Sequence, residues 1–228
     1  MAWYVFALVD VVPSGAAGKG LSGALSLREL AGAFVVVERR GDVPPVAFGA
    51  LKKHQEVVSR LAKHVPAILP VRFGTLLEPA DLEEAVEERD EEIADAFDLV
   101  RDRVQFTWRM PTRRKTEDGR RKTEDGRQET GRGVTKAVTG TAYLRQIARA
   151  ANPAPPAAFR ALRSRIAPLT IRQRYQPGTS ALPEALYHLV EKSDVRRYAA
   201  AAAALRKTNP RLTVTGPFPP FAFAPQIL

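Results

Sequence analysis

The chain contains no cysteine. Disulfides, thiolate zinc sites and cysteine nucleophiles are therefore excluded, and the composition suits a reducing compartment. Histidine is scarce as well, at three residues, which leaves little for metal ligation or proton transfer. His54 and His64 stand ten residues apart, not the four that would place two ligands on one helix face. His188 falls within a predicted strand with no carboxylate beside it in sequence. No apolar run approaches the ~20 residues of a membrane helix. The opening segment lacks a basic region before its apolar stretch, and Asp10 interrupts it, so it reads as a strand and not a signal peptide. The expectation is a soluble, cytoplasmic protein.

Nucleophile and phosphate motifs are missing too. The loop Gly15–Gly20 holds a lysine among glycines, but Gly15 and Gly18 are too close for a P-loop and Gly20 stands where a magnesium-binding hydroxyl belongs. It reads as a flexible strand connection. No G-x-S-x-G elbow is present. The carboxylates cluster on one helix face, where nothing separates their pKa values as a catalytic pair requires. The sequence thus predicts no catalytic residue, no metal and no cofactor.

What is present is ordinary in kind and uneven in distribution. Of 228 residues, 45% are apolar and 26% charged, which fits a globular chain with a full core. The net charge of +10 is split sharply: residues 1–100 sum to −6 and residues 101–228 to +16. This asymmetry predicts two domains, 1–100 and 101–228. A basic half is suited to nucleic acid or to an acidic protein surface. Nucleic-acid binding is the alternative function, although aromatic-interleaved RNA motifs and helix-turn-helix spacing are absent.

Periodicity supplies the elements. Trp3–Val9, Ala24–Arg28 and Ala33–Glu38 read as strands. Ala47–Val65 reads as a helix with Ala47, Leu51, His54, Val58, Leu61 and Val65 on one stripe, stopped by Pro66. A strand follows at Ala67–Phe73. Glu78–Val100 reads as one long acidic helix, with eleven carboxylates between Glu78 and Asp98 against a single arginine. Such a run is a solvated face or a docking face for a basic surface, including the chain's own second half. Arg103–Met110 alternates strictly, with Val104, Phe106, Trp108 and Met110 on one side. The remainder reads as helices at Thr141–Ala151 and Ala157–Ile166, strands at Leu169–Tyr175 and Ala185–Val190, a helix N-capped by Asp194, and a strand at Arg211–Thr215. The second half is thus β-α-β-β-α-β, the ferredoxin-like order. The fold class is α+β in both halves. Between them, RKTEDGR occurs twice without change at Arg114–Arg120 and Arg121–Arg127. It has no apolar residue, so about 112–133 is expected to be a disordered loop.

Three stretches carry a family likeness. His54–Val58 with Ile68-Leu-Pro-Val-Arg72-Phe73-Gly74-Thr75 resembles the helix and "LPxRFGT" strand of the GvpL/GvpF gas vesicle proteins. Gly140-Thr-Ala-Tyr143-Leu144 is similar to that family's "G-x-x-YL" helix start. Val214-Thr-Gly-Pro-Phe218-Pro-Pro-Phe221-Ala-Phe223 resembles its "TGPWPPYxF" terminus, with Phe218 and Phe221 replacing Trp and Tyr. Gln105 stands where relatives commonly carry Glu, and the RKTEDGR duplication lies outside the family pattern. The resemblance implies a non-enzymatic accessory or minor structural protein of gas vesicles that contacts the shell protein GvpA and other Gvp proteins. Arg72, Phe218, Phe221 and Phe223 are the candidate partner-binding residues; the alternatives are an internal ion pair of Arg72 with the acidic helix and packing of Phe218–Phe223 back across the two domains. Arginine is a strong interface ion-pair former and aromatics are typical hot spots.

Overall fold

The apolar opening run becomes a strand buried along its whole length, β1 (Ala2–Val9). A strand covered on both faces needs side chains of one character throughout, and AWYVFALV supplies them. In the computed structural model, which describes residues 1–14, 18–110, 155, 157, 159, 160, 164–179 and 183–226, β1 is central to the first sheet. On one side it pairs antiparallel with β3 (Ala33–Arg40), which pairs in turn with β2 (Ser26–Leu30). On the other side β4 (Ile68–Pro70) and β5 (Leu76–Leu77) follow each other along the same edge. Pro70 is tolerated because β4 is an edge strand.

A bulge at Phe6 breaks the alternation of β1, because Val5 opposes Val37 while Ala7 opposes Val36. Tyr4, Phe6, Ala7 and Val9 therefore share the face covered by helix α1 (Phe48–Leu61), through Val57, Val58 and Leu61. Trp3, Val5 and Leu8 face α2 (Pro79–Glu87) and α3 (Asp90–Val100).

The second sheet is also antiparallel, in the order β7-β8-β6-β9. Its strands are β6 (Arg103–Arg109), β7 (Arg172–Gln176), β8 (Ala185–Glu191) and β9 (Thr213–Phe218). The predicted alternation of β6 puts Phe106 and Trp108 into a core with Leu186, Val190 and, from α4 (Val195–Thr208), Tyr198 and Leu205.

Several expectations change. The long acidic helix is two helices, broken at Glu88 and Arg89. Carboxylates four apart repel along a continuous helix, as at Glu87 and Glu91. The break instead puts Asp90, Glu91 and Glu92 in the first turn of α3, where the helix dipole favours them. Helix α1 is shorter than its stripe, and Leu51 is 41% exposed where a buried residue is expected. The strand expected at Leu169–Tyr175 begins only at Arg172, after a 3-10 turn at Ala167–Leu169. Asp194 starts α4 without a capping bond; its carboxylate pairs with Arg197 at 2.8 Å. Among the described residues the carboxylates of the acidic segment form ion pairs only with the N-terminus and Arg101. The halves meet through apolar contact, Leu189, Phe223 and Ala224 joining the core that holds Ile93 and Phe97, and through polar contacts such as Arg101 with Asp10 and Lys192 with the Val65 carbonyl. The helix expected at Thr141–Ala151 and the RKTEDGR repeats lie outside the described residues.

Candidate functional site

The turn after β4 is set by a buried polar chain. The Gly74 amide donates to the Tyr4 hydroxyl at 3.2 Å, and that hydroxyl lies 2.9 Å from His54 Nδ1. His54 Nε2 lies 3.1 Å from the Val71 carbonyl. A carbonyl only accepts, so Nε2 carries the proton and Nδ1 accepts from Tyr4. Burial pulls the His54 pKa down to about 4, which keeps the ring neutral near pH 7. Phe73 packs edge-on against both rings. Gly74 adopts φ +93°, a conformation other residues resist. Arg72 sits within this fixed turn, exposed, and its guanidinium has no partner among the described residues.

The C-terminal segment is pinned from both halves. Gly216 allows β9 to approach β6: a Cβ there would stand 2.7 Å from the Gln105 carbonyl oxygen. Gln105, itself buried, accepts from the Ala222 amide at 2.7 Å and donates to Thr107. Arg174 donates to the Ala222 carbonyl at 2.8 Å, and Arg89 to that of Gln226 at 2.8 Å. The three phenylalanines then take different places. Phe223 is buried in the core shared by the halves. Phe221 is half-buried against the α1-side core, and Phe218 is 37% exposed at the end of β9.

These supports leave a cleft of about 440 Å³ between the Arg72 turn, the tail and strands β7 and β8. Arg72, Gln105, Arg174, Tyr187, Phe221 and Gln226 line it. Arg72 and Phe221, distant in sequence, come together there; Phe218 and Phe223 do not line it. Arg174 and Tyr187 escape sequence reasoning because only strand register makes them neighbours. Burial raises the Tyr187 pKa, and Arg109 and Arg174 work against that rise.

A second polar feature is unexpected. Glu38 is buried and accepts from the amides of Leu21, Ser22 and Gly23 and from the Ser22 hydroxyl. Burial would raise its pKa, but the bonds from Gly23, Ser22 and Leu21 outweigh it and hold the carboxyl below its ordinary value. Successive amides turned inward make an anion cradle, here occupied by the chain's own carboxylate. The turn that follows the glycine-rich loop, Leu21–Gly23, is therefore anchored on Glu38. The signal was legible in part: a glutamate inside an apolar strand facing a Gly-Leu-Ser-Gly turn. Among the described residues no cluster of three or more histidine or carboxylate side chains is placed to hold a metal.

Comparison with known proteins accounts for this architecture. The fold is similar to the crystal structure of gas vesicle protein GvpF from Anabaena sp. PCC7120, with TM-score 0.69 and 15% identity, covering 98% of this chain and 96% of that one. It is equally similar to GvpF from Microcystis aeruginosa, with TM-score 0.69 and 10% identity over 98% and 99% of the two chains. At such identities the likeness speaks for the fold. No curated protein matches the sequence. The model of one family, described as gas vesicle synthesis protein GvpL/GvpF, matches residues 2–225. Because that match takes in both sheets, the pinned tail and the Arg72 turn, the chain belongs to the GvpL/GvpF family of gas vesicle proteins.

Proposed function

We propose that this chain works by binding, as an accessory or minor structural protein of gas vesicles that contacts the shell protein GvpA and other Gvp proteins. The family match over residues 2–225 carries the reading. In this reading the protein is non-enzymatic and resides in the cytoplasm and at the gas vesicle. A shell protein exposes apolar surface before it polymerises, and such surface aggregates unless covered. Arg72, Phe221 and the exposed ring of Phe218 are the groups through which the chain would engage a partner; Phe223 would act from beneath, by bracing the tail. Pull-down of purified GvpA by the intact protein tests this. Retention of GvpA is expected, and its absence would remove the assembly role.

The same reading divides the chain at residue 100, with a ferredoxin-like second unit. The strand order β9-β6-β8-β7 with antiparallel neighbours supports that topology. Limited proteolysis is expected to cut first within residues 113–132, the stretch without a core-forming side chain. The two fragments should stay associated on size exclusion, because the first carries β6, which pairs with β8 and β9 of the second, and because Leu189 and Phe223 belong to the first core. Early cleavage elsewhere would place the accessible stretch outside residues 113–132.

A further inference from the structure

We propose that the cleft between the Arg72 turn and β7 is a binding site for a carboxylate side chain of a partner protein, presented next to an apolar residue. The inference rests on the binding role above and names the chemistry of the segment received. Two arginines line the cleft, Arg72 from the first half and Arg174 from the second. No Asp or Glu is among the described residues lining it. A smaller hollow of about 70 Å³ continues it beneath the tail and repeats Arg72, Arg174, Phe221 and Gln226, again without a carboxylate.

Both cations stand on fixed supports. The Tyr4–His54–Val71 chain fixes the turn that carries Arg72, whose guanidinium has no partner among the described residues. One Arg174 nitrogen holds the Ala222 carbonyl, which orients the remaining donors. Guanidinium groups match the planar two-oxygen geometry of a carboxylate, and the anchored Arg174 loses the less freedom of the two on binding it. Phe221 and Tyr187 supply apolar wall for a neighbouring side chain.

The neighbouring cleft across the tail is different. It is lined by Glu92 and Asp95 together with Arg172 and Arg174, two charges of each sign, so it favours neither. A nucleic-acid backbone is a poorer occupant than a protein segment. It gains affinity by neutralising several phosphates in series, and two cations among the described residues line this cleft.

The test is fluorescence anisotropy of the intact protein with an amidated peptide, Gly-Ser-Leu-Glu-Leu-Ser-Gly, whose N-terminus is acylated by an uncharged BODIPY dye. The same peptide with Gln for Glu is the control, and neither carries a terminal carboxylate. The Glu peptide is expected to bind roughly tenfold more tightly, the scale of one charged hydrogen-bonded pair. Arg72→Gln and Arg174→Gln should each remove that preference. Arg72→Gln is the cleaner variant, since its guanidinium makes no contact among the described residues, and its melting temperature should match the wild type. Equal binding of the two peptides, absence of binding, or a preference that survives Arg72→Gln would overturn the proposal. So would displacement of the peptide by a 15-nucleotide single strand at 200 mM salt, which would assign the cleft to phosphate. The outcome is separable from the GvpA test. A protein that binds GvpA equally well with and without Arg72→Gln, and does not discriminate the peptides, keeps its role and loses the cleft. Peptide discrimination without GvpA binding keeps the cleft and removes the role.

Discussion

The two sheets solve opposite problems. In the first, β1 is buried on both faces, and the polar groups it brings inside are matched internally: Tyr4 with His54, Glu38 with three amides. In the second, α4 covers one face, while among the described residues the other meets the first half through Leu189 and the pinned tail. It too pairs polar groups internally, Gln105 with Ala222 and Thr107, and it also sets Arg174 and Tyr187 along the cleft. The first sheet uses its polar groups to fix turns, and the second places some of its own at the junction. That contrast separates residues that hold the fold from residues available to a partner.

The largest effect is expected where the internal matching is densest. Glu38→Ala leaves three inward amides and the Ser22 hydroxyl without their acceptor. Unsatisfied buried donors cost about 1–3 kcal/mol each before relaxation. A loss of roughly 4 kcal/mol is expected, read as a fall in melting temperature of ~10 °C. A change under 2 °C would show that the loop at Leu21–Gly23 reorganises freely.

His54 offers a test by pH. Its folded pKa of about 4 lies below the ordinary 6.5, so between those values the unfolded chain binds more protons. The stability it contributes is complete above pH 6.5 and is lost as pH falls from 6.5 toward 4. The difference corresponds to roughly 3 kcal/mol. Melting midpoints should decline across that window, and His54→Gln should flatten the decline. A parallel decline in the variant would place the acid sensitivity elsewhere.

Phe223→Ala probes the junction. The ring is 8% exposed in a core shared by both halves. Its loss should cost about 3 kcal/mol, the low end for a buried phenylalanine, read as a fall in melting temperature of roughly 8 °C. A fall under 2 °C would show that the junction core closes over the missing ring.

What the sequence disclosed and what it withheld divide along physical lines. Periodicity registers which face of an element meets apolar neighbours, so β1, β3 and the β6 alternation of Phe106 and Trp108 were legible. It does not register where an element bends. The Phe6 bulge and the break at Glu88 and Arg89 contain neither glycine nor proline. Nor does it register partners far apart along the chain. Tyr4 meets His54 fifty residues away, and Gln105 meets Ala222 across 117. The family likeness pointed to Arg72 and the phenylalanines because motif residues stay in order; it could not say that Phe221 would share a cleft with Arg72 while Phe223 turned inward.

The smallest expected effect on stability is the most informative about binding. Phe218 ends β9 and is 37% exposed, and its backbone pairs with Gln105. Phe218→Ala keeps that pairing and removes a ring already partly in water. Its cost should stay within about 0.5 kcal/mol, the range of surface substitutions. Phe223→Ala lowers stability, so any loss of GvpA binding it causes would be ambiguous. Phe218→Ala avoids that ambiguity. If the exposed ring meets the partner, GvpA retention should fall by roughly tenfold, the scale of a moderate aromatic hot spot, while the melting curve stays in place. An unchanged curve with unchanged retention would show that Phe218 takes no part, leaving Arg72 and Phe221 to carry the contact. A large drop in melting temperature would show instead that the end of β9 is packed more firmly than its exposure indicates, and would move Phe218 to the side of the comparison occupied by Phe223.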